Sequence, residues 1–283
     1  MSMLISKPLR FGYINAKCRA LKSAILEKEF FEKAVLAKSI GDIYALLKDS
    51  SYSSYLKDAE KENIASALEN SFEELYKKST SVLKKEEKEI FDLFFRSKDE
   101  LLKKKTAFKE SKNLSVIYRR IDTKYINSIK NSLKNLKRED RKDLKEILGS
   151  YFDMLNLFTI VRFRTVYKMA PEEIIPFLMP YGWKFDIKFL GKVANLSTLS
   201  EISAAIEEVL KNSFYSYHEF RQAVYRYHMD SLKRVWFGYP FKMSVIFALL
   251  RMKEIEIKNI RAVVEGIYYR LPQDDIKKLL AGI

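Results

Sequence analysis

Along most of the chain, apolar residues recur at steps of three and four, which places them on one side of a helix. Ile14, Cys18, Leu21 and Ile25 form one such stripe, with Lys17, Lys22 and Lys28 off it. Ile40, Ile43, Tyr44 and Leu47 form a second, opened by Ser39-Ile-Gly-Asp42. That opening predicts a capped start: the serine oxygen accepts a free first-turn N–H, and the acid sits in the favourable field of the terminus. Residues 57–112 are dense in charge and contain no glycine, yet Leu75, Val82, Ile90, Leu93, Phe94, Leu101 and Leu102 keep an apolar side. Long, partly exposed helices are predicted there. A second charged stretch, 130–146, carries Ile129, Leu133, Leu136, Leu144 and Leu148 at burial spacing. From Tyr151 onward apolar residues become denser, and the tightest core is expected in that part. Pro171-Glu-Glu173 and Pro272 with Asp274 and Asp275 read as helix starts, because proline loses nothing where the first N–H is unpaired anyway. Breaks fall at Pro180 with Gly182 and at Gly238 with Pro240.

Composition narrows the fold to all-α. The 283 residues include 8 glycines and 6 prolines. Sandwiches, barrels and dinucleotide-binding units need far more of both at their turns and phosphate loops. Cys18 is the single cysteine, so no disulfide forms within the chain, no cysteine zinc site is possible, and a reducing compartment is expected. The opening residues have no apolar run of signal-peptide length, and no apolar run reaches membrane-spanning length.

The chemistry-bearing patterns fail one by one. Gly182…Gly191-Lys192 is spaced too widely for a phosphate loop, and Val193 stands where Ser or Thr is needed. His218 and His228 share one helix face only at a separation of ~15 Å, too far to share a metal. Cys18 lies on an apolar stripe and reads as buried and inert. Glu172/Glu173 and Asp274/Asp275 read as compensation of helix dipoles, since adjacent residues point about 100° apart. No catalytic, cofactor-binding or metal-binding residue is expected, and the chain is not expected to be an enzyme by itself.

Lys plus Arg number 52 against 37 Asp plus Glu, a net charge of +15. Lys103-Lys-Lys105 and Lys137-Arg138 read first as solvated helix faces, with an acidic protein, anionic lipid or nucleic acid as alternatives. Base stacking on nucleic acid would need aromatics interleaved with the cations, whereas the aromatics here sit mostly at core spacing. The runs Tyr215-Ser-Tyr-His-Glu-Phe220, Tyr225-Arg-Tyr227 and Trp236-Phe237 supply candidate anchors for a protein partner.

The chain also repeats itself. Asp153-Met-Leu-Asn156 leads into Ile160-Val-Arg162, and Glu256-Ile-Lys-Asn259 leads into Ile260-Arg261. Both continue to an acidic helix start (Glu172-Glu-Ile174 and Asp274-Asp-Ile276). Asn15 with Arg19 looks like a looser first copy, lacking the acid three residues earlier. Ser39-Ile-Gly-Asp42 and then Ser51-Tyr-Ser-Ser-Tyr55 parallel Thr198-Leu-Ser-Glu201 and then Ser213-Phe-Tyr-Ser-Tyr217. Lys98-Asp-Glu-Leu-Leu102 reads as the remnant of a middle copy. The resulting division is 9–97, a shortened middle at 98–152, and 153–283 with closing helices. Asn15, Asn156, Asn259, Asp153 and Glu256 are predicted to be structural, each asparagine locking one segment against another. Arg19, Arg162, Arg164, Arg261, Tyr217 and Trp236 are candidate partner contacts.

These blocks, in order, resemble the C subunit of the A/V-type ATPases, a family that includes the eukaryotic d subunit. Tyr13-Ile-Asn-Ala-Lys-Cys-Arg-Ala-Leu21 resembles its opening helix. Glu29-Phe-Phe-Glu32, Ala37-Lys-Ser-Ile-Gly-Asp-Ile43 and Leu47-Lys-Asp-Ser-Ser-Tyr52 resemble its next helices and their tyrosine joint. Asp153 through Arg162 with Glu172 and Pro180-Tyr-Gly182 resembles the central block, and Lys253-Glu-Ile-Glu-Ile-Lys-Asn-Ile-Arg261 with Gly266 and Leu271-Pro272 the last. Residues 57–120 match no block, and the chain is shorter than is usual for the family. The resemblance implies repeated helical domains about a pseudo-threefold axis, shaped like a funnel. It implies a non-catalytic rotor subunit that links the central shaft to the membrane proteolipid ring. It would bind no nucleotide or cofactor and would sit on the cytoplasmic face of the cell membrane. The alternatives are a basic helical nucleic-acid-binding or scaffold protein, and a divergent family member outside the rotor.

Overall fold

The computed structural model describes residues 7–97 and 114–282. Among them every regular element is helical. In chain order these are α1 (Lys7–Ser23), α2 (Lys28–Val35), α3 (Ile40–Lys48), α4 (Lys61–Thr80), α5 (Lys85–Phe95), α6 (Leu114–Lys134) and α7 (Arg138–Val161). Then come α8 (Pro171–Ile174), α9 (Ile187–Ala194), α10 (Leu199–Leu210), α11 (Tyr217–Arg234), α12 (Met243–Tyr268) and α13 (Gln273–Leu279). A π-helical turn, Arg162–Val166, closes α7. The Lys103-Lys-Lys105 run and the Lys98-Asp-Glu-Leu-Leu102 remnant lie outside the described residues.

Contacts divide the chain into two compact units. One holds both chain ends, through Val82 and from Val235 on, and the other holds Leu83–Arg234. This is a division by packing, whereas 9–97, 98–152 and 153–283 is a division by sequence likeness.

In the first unit α12 is the spine. Its first half, Met243 through Lys253, is buried on every side, as an apolar helix must be when neighbours surround it. Its second half presents Ile257, Ile260, Val263 and Val264 to Phe31, Val35, Ile43, Leu47 and Tyr52. Helix α13 presses so closely that a Cβ on Gly266 would lie 2.6 Å from the Ile276 side chain; only glycine fits that crossing. In the second unit α7 packs along α11. Ser150 bonds to His228 Nδ1 at 2.9 Å and to Ser231 Oγ at 2.7 Å, so His228 is a satisfied core residue.

Local chemistry sets the helix starts. Ser39 Oγ accepts the Asp42 N–H while Asp42 accepts the Ser39 N–H. Thr198 and Glu201 repeat that reciprocal cap, and so do Ser216 and Glu219. Pro171 begins α8, but that helix stops after one turn and tightens into a 3₁₀ turn, Ile175–Phe177. The charged stretches are also interrupted where periodicity alone predicts continuity: between α4 and α5 at 81–84, and between α6 and α7 at 135–137. Lys137 is the residue flanking the start of α7.

Candidate functional site

Two buried asparagines on the long helices make the same pair of hydrogen bonds. In α7, Asn156 Nδ2 donates to the Met179 carbonyl at 3.0 Å, and the Met179 N–H donates to Asn156 Oδ1 at 2.7 Å. In α12, Asn259 Nδ2 donates to the Ala281 carbonyl at 3.0 Å, and the Ala281 N–H donates to Asn259 Oδ1 at 2.7 Å. A carboxamide has the donor and acceptor of a peptide group. Each asparagine therefore clasps a returning segment as a neighbouring backbone would. Asn15 in α1 is different. Its Nδ2 donates to the Pro240 carbonyl, but its Oδ1 accepts Arg19 Nε at 3.1 Å. Arg19 then reaches the Trp236 carbonyl at 2.9 Å.

One helical turn before each of the first two asparagines lies a buried acid. Asp153 accepts the N–H groups of Trp183 at 3.1 Å, Lys184 at 2.9 Å and Phe185 at 3.3 Å. The Tyr227 hydroxyl donates to it at 2.7 Å. Burial pushes the Asp153 pKa up, and these hydrogen bonds work against that rise. Burial, and then the neighbouring Asp153 charge, raises the Tyr227 phenol and pushes Tyr181 up to about 12. The loop can wrap the carboxylate only because residue 182 is glycine. A Cβ there would fall 2.3 Å from Asp153 Oδ1.

Glu256 is held by a cation instead. Lys253 Nζ lies 3.3 Å from Glu256 Oε1 and 3.4 Å from Ser51 Oγ, and it stands 3.8 Å from the centroid of the Tyr52 ring. Burial raises the pKa of Glu256 and lowers that of Lys253, and each charge partly offsets the shift of the other. The Tyr52 phenol is raised by burial and then by the Glu256 charge, although its hydroxyl makes no hydrogen bond of good geometry. The sequence alone does not mark Lys253 and Tyr52 as members of this cluster. The signal in the sequence is a lysine shortly after the apolar run Val245–Leu250, three residues before an acid.

The arginines named from sequence are engaged within the chain. Arg162 donates to the Tyr167 hydroxyl at 2.7 Å, and Arg164 to the carbonyls of Leu196 and Met169 and to Ser197 Oγ. Arg261 pairs with Glu69 at 2.8 Å. Tyr217 is exposed. Trp236, read from sequence as an anchor for a partner, is buried, with Lys22 Nζ 5.4 Å from its ring centroid. The adjacent Phe237 is the aromatic that faces solvent. Two aromatics side by side look alike in a sequence, and only packing tells which turns inward.

Reactive groups turn inward. Cys18 is fully buried and free, and burial pushes its thiol up to about 12, away from the nucleophilic thiolate. Among the described residues, no three His, Cys, Asp or Glu side chains gather as metal ligands. No described helix is long and apolar enough to cross a membrane. The arrangement of Asn156, Asp153, Asn259 and Glu256 fixes helices and returning segments.

Comparison with known proteins places this scaffold. The family model for the ATP synthase (C/AC39) subunit matches residues 14–100 and 99–279. The A-type ATP synthase C subunit of Thermococcus onnurineus is 21% identical over 337 residues, covering 98% of this chain and 92% of that protein. Its counterpart from Pyrococcus furiosus is 22% identical over 344 residues, covering 99% and 92%. That of Methanocaldococcus jannaschii is 24% identical over 177 residues, covering 58% and 43%.

Proposed function

Since the chain belongs to the ATP synthase (C/AC39) subunit family, we propose that it is the non-catalytic central-stalk subunit of an A/V-type rotary ATPase or ATP synthase, joining the shaft to the membrane proteolipid ring. The observation that carries this reading is the match along nearly the whole chain to relatives named as the C subunit of A-type ATP synthases. The interior fits the task. A part that transmits torque needs helices that do not slide, and Asn156 and Asn259 fix returning segments by paired backbone hydrogen bonds. On this reading the chain works at the cytoplasmic face of the membrane, as a peripheral part of the complex. Depleting it should leave ATP hydrolysis by the catalytic head intact while abolishing hydrolysis-driven ion transport. Ion transport that continues undiminished without the chain would refute the role.

A second reading, a family member that keeps the scaffold outside the rotor, draws on two observations. Contact divides the chain into two compact units. The alignment to the Thermococcus protein spans 337 residues against a chain of 283, so at least 54 positions have no counterpart here. Full ion transport in the depleted system would favour it.

A further inference from the structure

The 236–241 loop runs beside α1. Arg19 holds the Trp236 carbonyl, Asn15 holds the Pro240 carbonyl, and the Phe241 ring sits 3.9 Å from where a Gly12 Cβ would lie. The loop thus descends the helix from residue 19 to residue 12. At its turn Gly238 has φ +79, and a Cβ there would meet nothing within 4 Å. The tip therefore projects into solvent. Phe237 and Tyr239 flank it, 77% and 45% exposed. On α1, Leu9 and Tyr13 stand four residues apart on one face and are 78% and 76% exposed. At about 100° per residue, that face adjoins the side of α1 along which the loop runs.

The charge of these two segments is one-sided, and the acid beside them is Glu74 of α4, which interacts with Lys17. The sequence has no acidic residue before Glu27, and none between Asp230 and Glu254. Helix α1 alone carries Lys7, Arg10, Lys17, Arg19 and Lys22. Lys17 lies 5.9 Å from the Tyr13 ring centroid and Lys22 5.4 Å from that of Trp236, so cations border the aromatic side chains. Protein hot spots seat aromatics in well-packed pockets. Here Phe237 and Tyr239 stand exposed at a turn whose own segment carries no acid. Tyrosine and other aromatic rings beside Lys and Arg are the composition of a membrane–water interface, where rings settle at headgroup depth and cations meet anionic lipids.

We infer that the 236–241 loop and the exposed face of α1 together seat on an anionic lipid surface, with Phe237 and Tyr239 entering the headgroup layer. This goes beyond membership of a rotary complex and does not depend on it, because it requires only the purified chain and lipid.

The test is co-sedimentation of the full chain with vesicles of phosphatidylcholine, with or without phosphatidylglycerol. The expected result is binding to the phosphatidylglycerol vesicles alone, weakened by salt, and reduced about tenfold or more by Phe237→Ser or Tyr239→Ser. Tyr268→Ser, which removes an exposed ring elsewhere, should leave binding unchanged. Unaltered thermal melting confirms that each variant is folded. Absent binding, equal binding to both vesicle types, or binding indifferent to Phe237→Ser overturns the inference. A dimer in light scattering that Phe237→Ser converts to monomer overturns it as well, because a second copy would then cover the patch.

Discussion

The two buried acids, Asp153 and Glu256, occupy the same step of the same short pattern, yet they are neutralised in different ways. Asp153 is short and receives a loop: three backbone N–H groups and a phenol converge on it, and no cation is needed. Glu256 is longer and receives Lys253 from its own helix, with Tyr52 stacked beyond. The asparagines three residues on do identical work in both places. The amide lock recurs with identical bonds, while the charge beside it is solved by whatever the neighbouring segment offers. The second solution is the more fragile, because it places two opposite charges in an apolar interior where each depends on the other.

That difference can be broken most sharply at Lys253. Lys253→Met should destabilise the chain by about 3–5 kcal/mol, because Glu256 is left buried without its cation. Lys253→Met with Glu256→Met should recover most of the loss, since an apolar pair of similar volume removes the desolvation cost. Urea unfolding of the two single variants and the double variant measures the coupling. A double variant as unstable as Lys253→Met would show that the pair is not the source.

Asn156→Leu and Asn259→Leu come next. Each strands a backbone N–H and a carbonyl, at about 1–3 kcal/mol for an orphaned buried group. Both should lower the unfolding midpoint by similar amounts, and Asn15→Leu by less, because its oxygen is bonded to an exposed arginine. A variant that loses assembly with unchanged stability would assign that asparagine to partner contact instead.

The pH response should separate the two acids. The folded pKa of Asp153 is raised by burial above its ordinary 3.8. Such a carboxyl costs stability when ionised. The cost is fully present above the raised value and disappears as pH falls through it to below 3.8. Within that window stability should therefore fall as pH rises, and the slope should be missing from Asp153→Asn. At the other acid the shifts of Glu256 and Lys253 are coupled, so Glu256→Gln should alter the profile together with that of Lys253. Chemical denaturation across the acid range reads both. The smallest effect concerns Cys18. Its thiol should resist a disulfide reagent under native conditions and react once urea exposes it; immediate labelling of the folded chain would contradict its burial.

Much of this is legible in the amino-acid sequence. The step of three and four, the scarcity of glycine and proline, and the Ser39/Asp42 and Thr198/Glu201 starts are local signals, and they led to an all-helical chain with its caps in place. The acid-x-x-Asn pattern drew attention to Asn156 and Asn259 because two amides in apolar helices need partners. Which partners could not be read. Met179 and Ala281 lie more than twenty residues downstream in irregular segments, and their backbones carry no side-chain signature of the contact. Lys253 was hidden for a related reason: a lysine ordinarily marks a solvent face, and only the surrounding packing shows one taken inside. The single turn of α8 was hidden too, since Pro171 with its acids announces a start but says nothing about where the helix ends.

The central claim is tested most directly by affinity capture of the tagged full chain from native membranes, with identification of what accompanies it. The expected result is recovery of both the shaft subunits and the proteolipid ring. Recovery of neither, from membranes in which both are present and assembled, would contradict it.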